Sequence, residues 1–176
     1  SQWGADNTII EGNTFHNTKG LDVWFGLNSY TDDAVVKDNV FSGNGEPLYN
    51  VYAQNLRTTG LEISGNTFLS GAEPVYLRGA IDWEIKDNTI YGDGDASHAG
   101  IYVLNGDGVI DNNTLVDADG GILIDGIRFG YTVDVTNNSI SQSVGRTAPT
   151  AVGIWAEDCG SSLVNSANNE ISVMEN

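Results

Sequence analysis

The chain alternates apolar and polar residues at a period of two, in short bursts broken by glycine, asparagine and aspartate. That period puts successive side chains on opposite faces of a strand, and no segment carries the 3.6-residue period of a helix. One burst recurs from end to end. It reads TIIEGNTF to Phe15, AVVKDNVF to Phe41, LEISGNTF to Phe68, WEIKDNTI to Ile90, GVIDNNTL to Leu115, VDVTNNSI to Ile140 and VNSANNEI to Ile171. Its asparagine falls at Asn13, Asn39, Asn66, Asn88, Asn113, Asn138 and Asn169, giving intervals of 26, 27, 22, 25, 25 and 31 residues. A strand returning at such intervals between turn-rich spacers predicts a β-solenoid. The large apolar residue two places after each Asn should stack inside. The Asn itself should take a left-handed corner and bond the Asn of the next coil, satisfying buried amides as stacked ladders do.

A second strand follows each burst: GLDVWF from Gly20, NVYAQ from Asn50, PVYLR from Pro74, GIYVL from Gly100, GILID from Gly121 and GIWAE from Gly153. Aligning these puts Leu21, Val51, Val75, Ile101, Ile122 and Ile154 in one inward column, and Val23, Ala53, Leu77, Val103, Ile124 and Ala156 in the next. Outward, the first column reads Asp22, Tyr52, Tyr76, Tyr102, Leu123, Trp155, and the second Trp24, Gln54, Arg78, Leu104, Asp125, Glu157. Residues 1–176 are therefore predicted to form a single all-β domain of about seven coils.

On these motifs the chain resembles the right-handed parallel β-helix proteins of the pectate-lyase-like superfamily, particularly their parallel β-helix repeats, over essentially its whole length. The resemblance implies a right-handed, single-stranded solenoid. Members usually have more coils and an amphipathic cap helix at the N-terminal end, neither of which is visible here. The expectation is a fragment or module of a longer protein, or a rod whose ends are covered by oligomerisation. Polysaccharide lyases of that superfamily hold calcium with aspartates and take an α-proton with an arginine, and its polygalacturonases use paired aspartates with a Gly-His-Gly motif. Its alginate epimerases carry Tyr-Gly-x-Asp-Pro-His. None of these sets is intact: His98 lies in SHAG, and Tyr91-Gly92-Asp93-Gly94-Asp95 with His98 echoes the epimerase motif without its proline or spacing.

Two functions fit the outward columns. Aromatic rings along a flat face, interleaved with polar groups, suit a polysaccharide, with Trp24, Tyr52, Tyr76, Tyr102 and Trp155 as substrate-binding candidates. The same rings could instead stack as a ladder that stabilises the sheet of a structural rod, as in a surface-layer, adhesin or fibre segment. If a lyase, hydrolase or epimerase-like activity exists, Arg78 and Asp125, two rungs apart, are its leading candidates, with Glu157 and His98 behind them. Asp93 and Asp95 supply alternating oxygens as the first half of a calcium loop does, but the later positions exclude an EF-hand. Aspartate and glycine together also make ordinary turns.

Charge narrows the partners. Lys and Arg number 7 against 24 Asp and Glu, a formal charge of −17. That balance repels phosphate backbones and anionic lipid, so nucleic acid and membrane surfaces are not expected partners. The carbohydrate reading carries with it an extracellular or cell-surface location. One cysteine, Cys159, allows no internal disulfide and reads as a small buried residue. Sixteen aspartates with three lysines match either a halophilic surface or an ordinary acidic secreted protein. Self-repulsion on such a rod is screened within about 10 Å at 0.1 M salt, so the melting temperature should rise with NaCl. A Tm that stays flat or falls from low to molar salt would remove the halophilic reading.

Overall fold

The computed structural model describes residues 3–4, 6–16, 20–26, 29–42, 47–54, 58–69, 73–92, 99–118, 120–128, 130–142 and 153–173. They build a parallel β-solenoid. Strands before each ladder Asn, from Ile9–Glu11 to Leu163–Ala167, pair in order as a first sheet of seven strands. Strands after it, from Thr14–His16 to Glu170–Val173, form a second sheet of seven. The GLDVWF-type strands, from Gly20–Phe25 to Ile154–Glu157, form a third sheet of six. Among the described residues a fourth sheet of three strands (Trp3–Gly4, Ser29–Asp32, Thr58–Thr59) closes the N-terminal coils, and a bridge from Thr59 to Ile81 extends it by one rung. Trp83, two residues beyond that bridge, is buried. A Cβ on Gly108 would lie 2.1 Å from the Trp83 carbonyl oxygen, so that close approach requires glycine. Among the described residues no helix is long and apolar enough to cross a membrane.

The predicted asparagine column is a continuous ladder. The backbone N–H of Asn39, Asn66, Asn88 and Asn113 donates to the next rung's Oδ1 at 3.0, 2.9, 3.1 and 2.9 Å. Each of their Nδ2 groups donates to that same Oδ1, at 2.9–3.1 Å. It also reaches back to a carbonyl of the preceding rung: Asn88 to Ile63 at 2.9 Å, Asn113 to Ile85 at 2.9 Å. Two donors and two lone pairs per amide are thereby used, which is why Asn39, Asn66, Asn88, Asn113 and Asn138 tolerate near-complete burial.

The left-handed corner is one residue earlier than the sequence implied. Gly12, Asp38, Gly65, Asp87, Asn112, Asn137 and Asn168 hold φ between 53° and 66°, each immediately before its ladder Asn. These residue types visit that region at least cost. The ladder Asn spends its side chain on stacking, and its predecessor makes the turn. The apolar column behaves as predicted through six rungs: Phe15, Phe41 and Phe68 stack at 4.8 Å with planes 7° and 4° apart, and Ile90, Leu115 and Ile140 continue it inside the core. Its last member, Ile171, is 49% exposed, because no described strand packs beyond it.

The third sheet corrects one register. Val23 pairs with Val51, Trp24 with Tyr52 and Phe25 with Ala53, after a bulge at Gly20/Leu21. Trp24 therefore belongs to the column of Tyr52, not of Gln54, and Asp22 falls opposite Asn50, whose Nδ2 donates to it at 2.6 Å. Alternation cannot detect this, because a slip of two residues keeps every side chain on its face. At the far end, a hollow of about 510 Å³ opens among the last inward residues, including Ile154, Val164 and Ile171. There Asn169 turns its Nδ2 to Ser166 Oγ at 3.0 Å, in place of a further rung.

Replacing Asn88 with Leu should destabilise the fold by on the order of 3 kcal/mol, because Asn66, Asn113 and the Ile63 carbonyl all lose partners in a buried place. The exposed Asn165, which donates only to Asp134, should tolerate the same change with little effect. Chemical unfolding of the two variants checks this; equal losses would mean the ladder is not what holds the rungs.

Candidate functional site

The outer face of the third sheet gathers most of the sequence-derived candidates. Register pairs place Trp24, Tyr52, Tyr76, Tyr102, Leu123 and Trp155 in one column. Gln54, Arg78, Leu104, Asp125 and Glu157 stand in the next. His98, Asp93 and Asp95 lie outside the described residues, as does the segment around Arg146.

The tyrosines are packed against one another. Tyr52 stacks on Tyr76 at 5.2 Å and 15°, and Tyr76 meets Tyr102 at 4.8 Å and 31°. Tyr49 wedges over both Tyr52 and Tyr76, at 4.8 and 5.0 Å. Tyr76 is left only 9% exposed. This is the ring-ladder arrangement: the faces of the middle rings are occupied by each other, leaving edges and hydroxyls for anything outside. Trp24 and Trp155 stand apart, 57% and 54% exposed. The Trp24 indole rests against Gly26, where a Cβ would lie 3.3 Å from two of its ring carbons. These two indoles, unlike the tyrosines, keep apolar ring surface open to solvent. Five rung steps, about 24 Å, separate them.

Tyr49 was not legible from alternation, which puts it in phase with the inward Val51. The available signal was its partner Glu73, a charged residue in the same inward phase as Val75. A carboxylate there means the strand's leading end turns outward.

Arg78 and Asp125 occupy one column two rungs apart, but no ion pair joins them. Asp125 instead accepts the Tyr102 hydroxyl at 3.0 Å. Burial, then this bond and the Asp125 charge, push the Tyr102 phenol well above its ordinary range. Burial likewise pushes Tyr76 up to about 12, opposed by the Arg78 guanidinium. Tyr49 and Tyr52 rise by burial too, Glu73 adding to the first and Arg78 resisting the second. Glu157 is exposed. Cys159 is half-buried against the core, its thiol donating to the Glu157 carbonyl at 3.2 Å, so the expectation of a fully buried residue was too strong. The face offers hydroxyl edges, one guanidinium, one amide and several carboxylates.

A family model described as NosD, periplasmic copper-binding protein, matches residues 5–174. The chain belongs to the NosD family. NosD is a right-handed parallel β-helix family, in agreement with the solenoid and with the predicted fold class. No curated protein and no solved structure matches the chain. The family's metal can be tested against this NosD chain's own donors. Copper takes thiolate, thioether and imidazole ligands, and the sequence holds one Cys, one Met and two His. His16 stands in the first rung of the second sheet, its Nδ1 3.2 Å from Ser42 Oγ. Cys159 follows the last strand of the third sheet, so at least five rungs, about 24 Å, part the two. Among the described residues no group of three or more His, Cys, Asp or Glu converges on a metal position, for copper or for calcium. The described residues do not fit either ion.

The stacked phenols generate a pH prediction. An unfolded tyrosine titrates near 10, so above that pH the unfolded chain sheds protons that the folded stack retains. Stability from the buried phenols is complete below pH 10 and is lost as pH rises through the folded values. The melting temperature should hold to about pH 10 and fall from there to about pH 12, with tyrosinate absorbance of the stack appearing as the fold is lost. Tyr76→Phe should shrink the fall. Full ionisation near pH 10 with the β-sheet spectrum intact would mean solvated rings.

Proposed function

We propose that this chain is an extracytoplasmic β-helix module that holds a polysaccharide strand along the outer face of its third sheet. The observation carrying this reading is the pair of exposed indoles, Trp24 and Trp155, at the two ends of a row of hydroxyl-bearing and charged side chains. Indoles at this exposure give a sugar ring an apolar face to lie on, and the interval between them is bridged by Gln54, Arg78 and the tyrosine edges. The family's description as periplasmic supports a place outside the cytoplasm. Copper handling draws on that description alone and lacks a donor set among the described residues.

A second reading, the structural rod, draws on the tyrosine stack, since self-stacked rings need no ligand to explain them. Retention on immobilised polysaccharides separates the two. Trp24→Ala or Trp155→Ala should each weaken binding about fivefold, at roughly 1 kcal/mol per lost stacking contact, with an unchanged β-sheet spectrum. Retention indifferent to both changes would leave the rod. Arg78→Ala and Asp125→Asn ask whether any bond is cleaved. In a binding module they lower affinity modestly, whereas loss of turnover with retention kept would make the face catalytic.

A further inference from the structure

The hydrogen-bonding inventory of this face specifies the charge of its ligand. Its carboxylates are Asp22, Glu73, Asp125 and Glu157, against one described cation on the face, Arg78. Ionised carboxylates only accept hydrogen bonds. The face therefore carries more negative than positive charge and suits an uncharged ligand whose vicinal hydroxyls can donate to the carboxylates and accept from Arg78 and Gln54. A polyuronate brings more acceptors and a negative charge on every sugar. Arg78 could neutralise one of these, and the others would face Asp125, Glu157 and a chain of formal charge −17. At 0.1 M salt that repulsion reaches about 10 Å, far enough to cover the face.

We infer that the ligand is an uncharged polysaccharide, long enough to engage Trp24 and Trp155 together, and that polyuronates are rejected. This rests on the glycan-binding reading and adds the class of glycan to it. The two indoles act as linked sites: a strand spanning both gains from effective concentration, and a short oligosaccharide engages only one.

Affinity electrophoresis of the intact chain tests this, with a xylan, a mannan and a β-glucan in the gel on one side and polygalacturonate and alginate on the other. Each gel is run at low and high salt, with and without calcium. The expected result is retardation by at least one neutral polymer at every salt concentration and by neither uronate at low salt. Trp24→Ala and Trp155→Ala should each weaken the retardation about fivefold, and a short oligosaccharide added as a free competitor should displace the polymer poorly. Retardation by a uronate equal to or greater than that by the neutral polymers, with or without calcium, overturns the inference and leaves the glycan reading standing. Retardation by none of the five overturns both. Neutral-polymer retardation unaffected by either tryptophan change also overturns it, since the two-point engagement would be absent.

Discussion

Everything on this molecule hangs on the coincidence of two spacings. Parallel strands repeat at about 4.8 Å, and a side-chain amide can bond an identical amide one repeat away. Seven asparagines use that match, each middle one giving its backbone N–H and one amide proton to the next Oδ1 and its other proton to a carbonyl of the previous rung. Once the amides are in register, every other column is too. The phenylalanines inside and the tyrosines outside stack at 4.8–5.2 Å because the ladder sets their spacing. The distance between Trp24 and Trp155 is likewise a number of rungs.

Columns were legible in the sequence because a period of two fixes the face, and a recurring Asn fixes the phase. Registers and ring orientations were not. Alternation alone places Trp24 one column away, because a slip of two residues leaves every side chain on the same face. Tyr49 was hidden by the same rule, as the leading end of its strand turns outward. Whether Tyr76 shows its face or its edge depends on side-chain rotation against neighbours, which no pattern of residue types records. The left-handed corner lay in plain view as Gly, Asp or Asn before every ladder Asn. The doubled polar pair simply allowed either residue to be assigned the turn.

The corner chemistry also bears on the acidity. Six of the sixteen aspartates, Asp33, Asp38, Asp82, Asp87, Asp117 and Asp158, sit at positive φ, where aspartate is tolerated for local reasons. Others serve as acceptors between rungs: Asp87 takes Asn112 Nδ2 at 2.6 Å, and Asp111 takes Thr136 and Asn137, which holds its carboxyl below the usual range. The two described lysines sit among glutamates, Lys37 by Glu11 and Lys86 between Glu62 and Glu84. A solenoid that turns corners with aspartate accumulates negative charge as a by-product of its geometry. Part of the composition that reads as adaptation to salt is therefore explained by the fold.

Separating columns also separates functions. The ladder, the phenylalanine stack and the third-sheet outer face share rungs but not side chains, so one face can change its chemistry while the coil is kept. A family description therefore travels with the ladder more securely than with any ligand. In this chain the recurring motif is buried amide and apolar core, whereas copper would need donors that are few and, for His16 and Cys159, at opposite ends of the rod. What the outer face of the third sheet does is decided by the residues of that face. There two open indoles, a covered phenol stack and more carboxylates than cations are what the proposal of an uncharged glycan rests on, and none of the three depends on a metal.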